Sequence, residues 1–155
     1  MSGRIDARLA ELAIELPTPP APVADYVPYV QTGNLVFISG QVSFIGKNDS
    51  SAGKVGADLT PEEGKEAARN SALNTIAHLK TACGGDLDRV TRCVSIRIYI
   101  ASAPDFTGQP AVGNGASELV GKIFGDLGKH SRAAVGVTAL PLNCAVEVES
   151  VWEIG

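Results

Sequence analysis

Two charged residues near the end of the sequence carry its most specific chemistry. Arg132 opens an alternating run and shares a face with Ala134 and Gly136, while Glu147 lies in a second run, opposite Val146 and Val148. Leu140-Pro141-Leu142-Asn143 separates the runs, so they read as a C-terminal hairpin with the two charges on neighbouring strands. On spacing alone two readings stand open. One is a cross-strand ion pair on a solvated face. The other is a guanidinium fork that grips a substrate carboxylate through two charge-assisted hydrogen bonds, with a carboxyl group beside it.

Other candidate chemistry is sparse. No nucleophile elbow, P-loop, H-E-x-x-H pair or dinucleotide fingerprint occurs. Gly113-Asn114-Gly115 lacks a third glycine and a preceding strand, so it is a poor phosphate loop. Cys83, Cys93 and Cys144 are odd in number, widely spaced and free of any C-x-x-C pair, which points to buried thiols rather than a disulfide framework. With His78 and His130 the only histidines, a zinc site would need long-range coincidence, and neither a metal nor an organic cofactor is expected. Lys and Arg number 13 against 17 Asp and Glu, for a net charge of −4 without any basic cluster, which disfavours a nucleic-acid partner. No apolar run approaches the ~18 residues that would span a membrane. Arg4, Asp6, Arg8, Glu11 and Glu15 interrupt any signal-peptide core, so a cytoplasmic protein is expected.

The elements that must position these residues follow from periodicity. A chain of 155 residues, 45% hydrophobic, can build one core and is not disordered. Residues 1–24 read as a helix, capped by Ser2 and striped by Ile5, Leu9, Leu12 and Leu16, followed by a strap at Pro17, Pro19, Pro20 and Pro22. Residues 25–155 read as the main domain. Tyr26–Thr32 and Leu35–Ser39 form a hairpin about Gly33-Asn34. Ile45–Gly56 is a loop. Thr60-Pro61-Glu62-Glu63 opens a helix that runs to about Cys83 and stops at Gly84-Gly85. Thr91–Ala101 is a strand with Val94, Ile96, Ile98 and Ile100 on one face and Cys93, Ser95, Arg97 and Tyr99 on the other. A second helix, weakened by Gly113, Gly115 and Gly121, spans about Ala111–Leu127, and the strands Arg132–Thr138 and Ala145–Trp152 follow. The order implies an α+β layer with two long helices on one face of a mixed sheet. The second face would be left apolar, which implies oligomerisation through it.

Three blocks resemble a known family: Gly33-Asn34-Leu35-Val36-Phe37-Ile38-Ser39-Gly40-Gln41; Asp105-Phe106 with Asn114 downstream; and Arg132 to Pro141 with Val146-Glu147-Val148-Glu149. In this order they are similar to the YjgF/RidA family of enamine and imine deaminases, earlier labelled L-PSP endoribonucleases, over about Tyr26 to Ile154. The resemblance implies a chorismate-mutase-like fold, a homotrimer around a central barrel, and ligand clefts between subunits. It implies Arg132 as the carboxylate grip and Glu147 as the group that positions or polarises water, with Tyr26, Ser39, Gly40, Asn114 and Ala134 lining the cleft. The implied reaction hydrolyses 2-aminoacrylate-like intermediates to 2-keto acids and ammonium, without cofactor; the implied ligand is a 2-keto or imino acid. Ala134 stands where deaminases usually carry Cys, Gly136 replaces an acidic residue, and the N-terminal helix is additional. These departures place the chain with an extended subgroup and keep open a trimer that binds small carboxylates without turnover. An endoribonuclease would need His130 beside Arg132 as its acid or base.

Overall fold

The computed structural model describes residues 3–46, 49 and 51–155. Its elements are α1 (Arg4–Glu11), β1 (Tyr29–Thr32), β2 (Leu35–Val42), α2 (Pro61–Ala82), β3 (Val90–Ala101), α3 (Gln109–Phe124), β4 (Ser131–Val137) and β5 (Val146–Ile154). The strands form one mixed sheet in the order β1-β2-β5-β3-β4, in which only β3 and β4 are parallel. Strand residues such as Ile96, Ile98, Val148 and Trp152 share one buried cluster with Ile76 and Leu79 of α2 and Val120 and Ile123 of α3. This is the expected α+β layer with helices on one face. No helix among the described residues is long and apolar enough to cross a membrane.

α2 follows its sequence signals closely. Thr60 Oγ1 accepts from the Glu63 N–H (3.1 Å), and the Glu63 carboxylate accepts from the Thr60 N–H (2.7 Å), closing a capping box. Gly84 and Gly85, at φ +68° and +94°, end it. One glycine of α3 has a packing role beside the weakening expected of it. A Cβ on Gly115 would overlap the Lys65 carbonyl of α2, so this glycine sets the close approach of the two helices.

α1 is shorter than its apolar spacing predicts, ending at Glu11 rather than near Leu16. Ala13 adopts φ +53° while its N–H donates to Ala10 O (3.0 Å) and the Ile14 N–H donates to Leu9 O (2.9 Å). These bonds satisfy the last carbonyls and turn the chain out of the helix before the prolines are reached. Ser2 lies outside the described residues. Asp88, 83 residues further on, accepts the Arg4 and Ile5 N–H groups at 2.7 and 2.8 Å, and these bonds hold its carboxyl below the usual range. Ile5 and Leu9 join the main core.

Three further expectations are corrected. β1 begins at Tyr29, not Tyr26, because the Tyr26 N–H turns back onto Ala24 O (3.0 Å) and Pro28 has no N–H for a ladder. β3 pairs Cys93 with Trp152 and Ser95 with Val151, so the extra residue Val94 bulges. That slip moves Cys93 into the core beside Ile96, Ile98 and Ile100, and leaves Val94 exposed.

The largest correction concerns β4 and β5, which are not a hairpin. β4 lies at the sheet edge, parallel to β3 through the α3 crossover, and β5 inserts between β2 and β3. The reason is burial: β5 buries Val146, Val148, Trp152 and Ile154 and takes the centre, whereas β4 buries no residue fully. The sheet face away from the helices leaves Val30, Phe37, Val94 and Val135 exposed in the single chain.

Candidate functional site

Arg132 lies in register with Ile96 and faces the helical side of the sheet edge. Its guanidinium is held by α3. Nη1 donates to Asn114 Oδ1 (2.7 Å) and to Ser117 Oγ (3.3 Å), and Nη2 donates to Pro110 O (3.2 Å). Both Nη1 hydrogens are thereby engaged, leaving Nε–H and one Nη2–H, donors that flank one edge of the fork. Gly113 lets α3 sit this close: a Cβ there would lie 3.2 Å from the Ala134 methyl and 3.5 Å from Nη1.

A second layer supports this arrangement. His130 Nδ1 is 2.6 Å from Gly128 O, and since a carbonyl only accepts, Nδ1 carries the proton in the neutral ring. Nε2 then accepts from the Ser117 hydroxyl at 2.9 Å, and the Ser117 oxygen accepts from Arg132. The bonds run in one direction, from Arg132 through Ser117 and His130 to the backbone. The sequence reading did not select Ser117. Its spacing of one helical turn from Asn114, on the face toward Arg132, was the available signal.

Glu147 occupies the other side of the sheet, in register with Val42 and Tyr99. β2 is irregular beside it: Ile38 pairs with Ser150 but Gln41 with Val148, so Ser39 and Gly40 bulge out of the ladder. A Cβ on Gly40 would overlap the Glu147 carboxyl group, so glycine is the residue that admits this side chain. Ser39 donates through Oγ to Val27 O (2.7 Å) and through its N–H to Pro28 O (2.9 Å), fixing the segment that carries the exposed Tyr26. Glu147 is half-buried, and burial, with Glu149 nearby, raises its carboxyl above the usual range. Glu149 accepts from the Tyr99 hydroxyl (2.7 Å), a bond that keeps the phenol protonated and raises its pKa.

The predicted residues thus form two groups. Arg132, Asn114 and Ala134 cluster at the β4 edge on the helical side; Tyr26, Ser39, Gly40 and Glu147 cluster about the β2 bulge. Arg132 and Glu147 are not on adjacent strands, as the hairpin reading required, because β3 lies between β4 and β5 and the two side chains leave opposite faces. Within one copy of the chain they do not meet.

Cys83, Cys93 and Cys144 are buried and unpaired. Burial raises all three thiols, that of Cys93 to about 12, which suppresses the reactive thiolate. Among the described residues no group of three or more His, Cys, Asp or Glu side chains could hold a metal ion.

A layer of two helices on a mixed sheet, with an arginine at its edge and a glutamate behind a glycine bulge, defines the class. The chain belongs to the family described as "YjgF/chorismate mutase-like, putative endoribonuclease", whose model matches residues 6–153. It is 45% identical to Protein TCP17 of Trypanosoma cruzi, over 99% of this chain and 96% of that protein. It is 27% identical to a 2-iminobutanoate/2-iminopropanoate deaminase of Dermatophagoides farinae, over 89% of this chain and 92% of the relative. A crystal structure of a protein of unknown function from Agrobacterium tumefaciens superposes with a TM-score of 0.90 at 38% identity, covering 97% of this chain and 92% of that one.

Proposed function

We propose that the protein is an imine deaminase that works as a homotrimer, with Arg132 of one copy and Glu147 of the next facing a shared cleft. The observation that carries this reading is the Arg132 guanidinium, held by three bonds to α3 with one donor edge left over. That edge suits the carboxylate of a 2-imino acid. The uncovered sheet face, with Val30, Phe37, Val94 and Val135 exposed beside the Arg97–Glu149 ion pair, supports assembly, and assembly would unite two groups that one copy keeps apart. The relatives named 2-iminobutanoate/2-iminopropanoate deaminase support the substrate class. Three buried, unpaired thiols fit the reducing cytoplasm.

The chemistry needs little beyond placement. The protonated imine R–C(=NH2+)–COO− is electrophilic at C2. Water adds there as Glu147 accepts a proton from it, and a carboxyl with a raised pKa is suited to take that proton and return it. Returned to nitrogen, the proton converts the amine into a leaving group. The C–N bond breaks to release ammonia as the carbinol hydroxyl gives its proton to the again-ionised Glu147, and ammonia takes up that proton, so that the 2-keto acid and ammonium separate. His130 is committed to Ser117 and Gly128 O, and this favours a structural role over that of a ribonuclease acid or base.

Coupled turnover of imines generated by an amino-acid oxidase, together with calorimetric titration of pyruvate, tests the reading. Arg132→Lys replaces a fork by a point charge and is expected to weaken keto-acid binding by about 1.5–3 kcal/mol, the range for a charged hydrogen bond. Equal affinity for wild type and Arg132→Lys would return Arg132 to a structural role. A stable monomer at micromolar concentration would remove the shared cleft.

A further inference from the structure

We propose that the imino acid hydrolysed here carries a bulky apolar side chain, seated in the cavity beneath the proline strap; this rests on the deaminase reading above. The cavity has a volume of about 420 Å3 and is bounded by the strap from Thr18 to Val23, by Tyr26 and Pro28, and by Val42 and Phe44. None of its lining residues is charged. A separate concavity of about 340 Å3, between α2 and α3, sets Leu12, Ile14 and Leu119 among Glu62, Lys65, Glu66, Arg69, Glu118 and Lys122, so charged side chains dominate its lining.

Two features join the cavity to the candidate site. Tyr26 and Gly40 line it, and Gly40 is the residue whose missing Cβ makes room for the Glu147 carboxyl. A substrate whose C2 lies near Glu147 therefore has the cavity as one exit for its side chain. Of the polar groups in the lining, the amide N–H groups of Gln41 and Asn74 are already spent on the backbone. Gln41 Nε2 donates to Ser39 O (3.0 Å), and Asn74 Nδ2 donates to Val42 O (3.0 Å) and Phe44 O (2.9 Å). With Pro19, Pro20, Pro22, Val23, Val42 and Phe44 in its walls, the cavity offers a ligand chiefly apolar contact, in a volume within the range of small-molecule sites. A methyl group would leave most of it without contact, whereas a branched aliphatic or aromatic group would use it.

The test compares stable product analogues, pyruvate and 4-methyl-2-oxopentanoate, by calorimetry on the full chain, with turnover of the alanine- and leucine-derived imines alongside. Each buried methylene contributes about 0.8 kcal/mol, roughly fourfold, so the larger keto acid is expected to bind at least about tenfold more tightly. Ala21→Trp places an indole in the cavity from the strap and is expected to reduce that ratio to below about threefold. Val23→Trp, from a side chain 64% exposed, gives the same readout if Ala21→Trp fails to fold. Equal or tighter binding of pyruvate, or a ratio that neither variant changes, overturns the cavity assignment while the deaminase reading stands. Failure of both keto acids to bind overturns both.

Discussion

The two halves of the candidate site hold their charges by opposite means. At the β4 edge, Arg132 stays exposed and is oriented by neutral acceptors from α3, so its charge remains solvated while its geometry is fixed. At the β2 bulge, Glu147 is half-buried behind a glycine, with no described cation of its own chain against it, and within one copy burial disfavours its charge. An anchor must keep its charge at all working pH values and hold one direction. A group that exchanges protons gains from an environment that brings its two states closer in free energy. The contrast is thus between orientation at one half and desolvation at the other.

The most severe test of this contrast is Gly40→Ala. The new methyl would overlap the far end of a flexible side chain, so the Glu147 carboxyl rotates away at little cost to folding. Turnover is expected to fall on the order of a hundredfold, as for a displaced catalytic group, with a small change in Tm. Gly115→Ala makes a similar overlap against the Lys65 carbonyl, which cannot rotate away. There the loss is expected in stability, about 1–3 kcal/mol, by overpacking between α2 and α3. Denaturant melts and turnover on the same two variants separate the outcomes. A Gly40→Ala enzyme with full kcat would show that Glu147 is not the proton carrier.

A smaller effect is expected from Ser117→Ala, which breaks the chain of bonds between Arg132 and His130. Arg132 keeps Asn114 and Pro110 O, so the guanidinium loses one prop of three. The lost bond has a charged donor but is long at 3.3 Å, so orientation is expected to weaken by about 1.5 kcal/mol, the low end for a charged hydrogen bond and roughly tenfold. The expected signature is a raised KM for the keto-acid precursor with kcat within about twofold, because the anchor acts before water adds. A fall in kcat at constant KM would move Ser117 from the anchor to the chemical step.

How far these halves were legible in the sequence follows from how local their causes are. The α2 caps, the turn at Gly33-Asn34 and the alternation of β5 depend on neighbours within a few residues, and their chemistry is visible in the chain. The stop of α1 after Glu11 was hidden because Ala13 takes the positive φ where glycine usually marks such a turn, and the cap at its other end was hidden because it comes from Asp88, far along the chain. The phase of β3 was lost at Val94, whose bulge depends on the partner strand. The positions of Arg132 and Glu147 were chosen correctly for their faces relative to their own strands. Their relation was misjudged, because strand order is set by which strand buries most, and periodicity within one strand does not report it. Ser117 was missed for the same reason: its importance lies in a contact between α3 and β4.

The mildest probe of the contrast is the pH dependence of stability in Glu147→Gln. Burial, with Glu149 adding to it, raises the folded-state pKa of Glu147 above its ordinary value of 4.5. The folded chain therefore holds this proton more tightly than the unfolded chain does. Between the ordinary and the raised value the native state binds more protons, so stability falls as pH increases through that window, and the loss persists above it. Below the window both states are protonated and the group is neutral, like glutamine. The difference in Tm between Glu147→Gln and wild type is thus expected to be smallest at acidic pH and to grow in favour of the variant toward pH 7. The size is modest because solvent reaches the half-exposed carboxyl and screens the penalty. Thermal melts from pH 4 to pH 8 measure it. A difference that shrinks with rising pH would mean that the ionised carboxylate is stabilised in the fold, and the distinction between a desolvated glutamate and a solvated arginine would fail at the residue on which it depends.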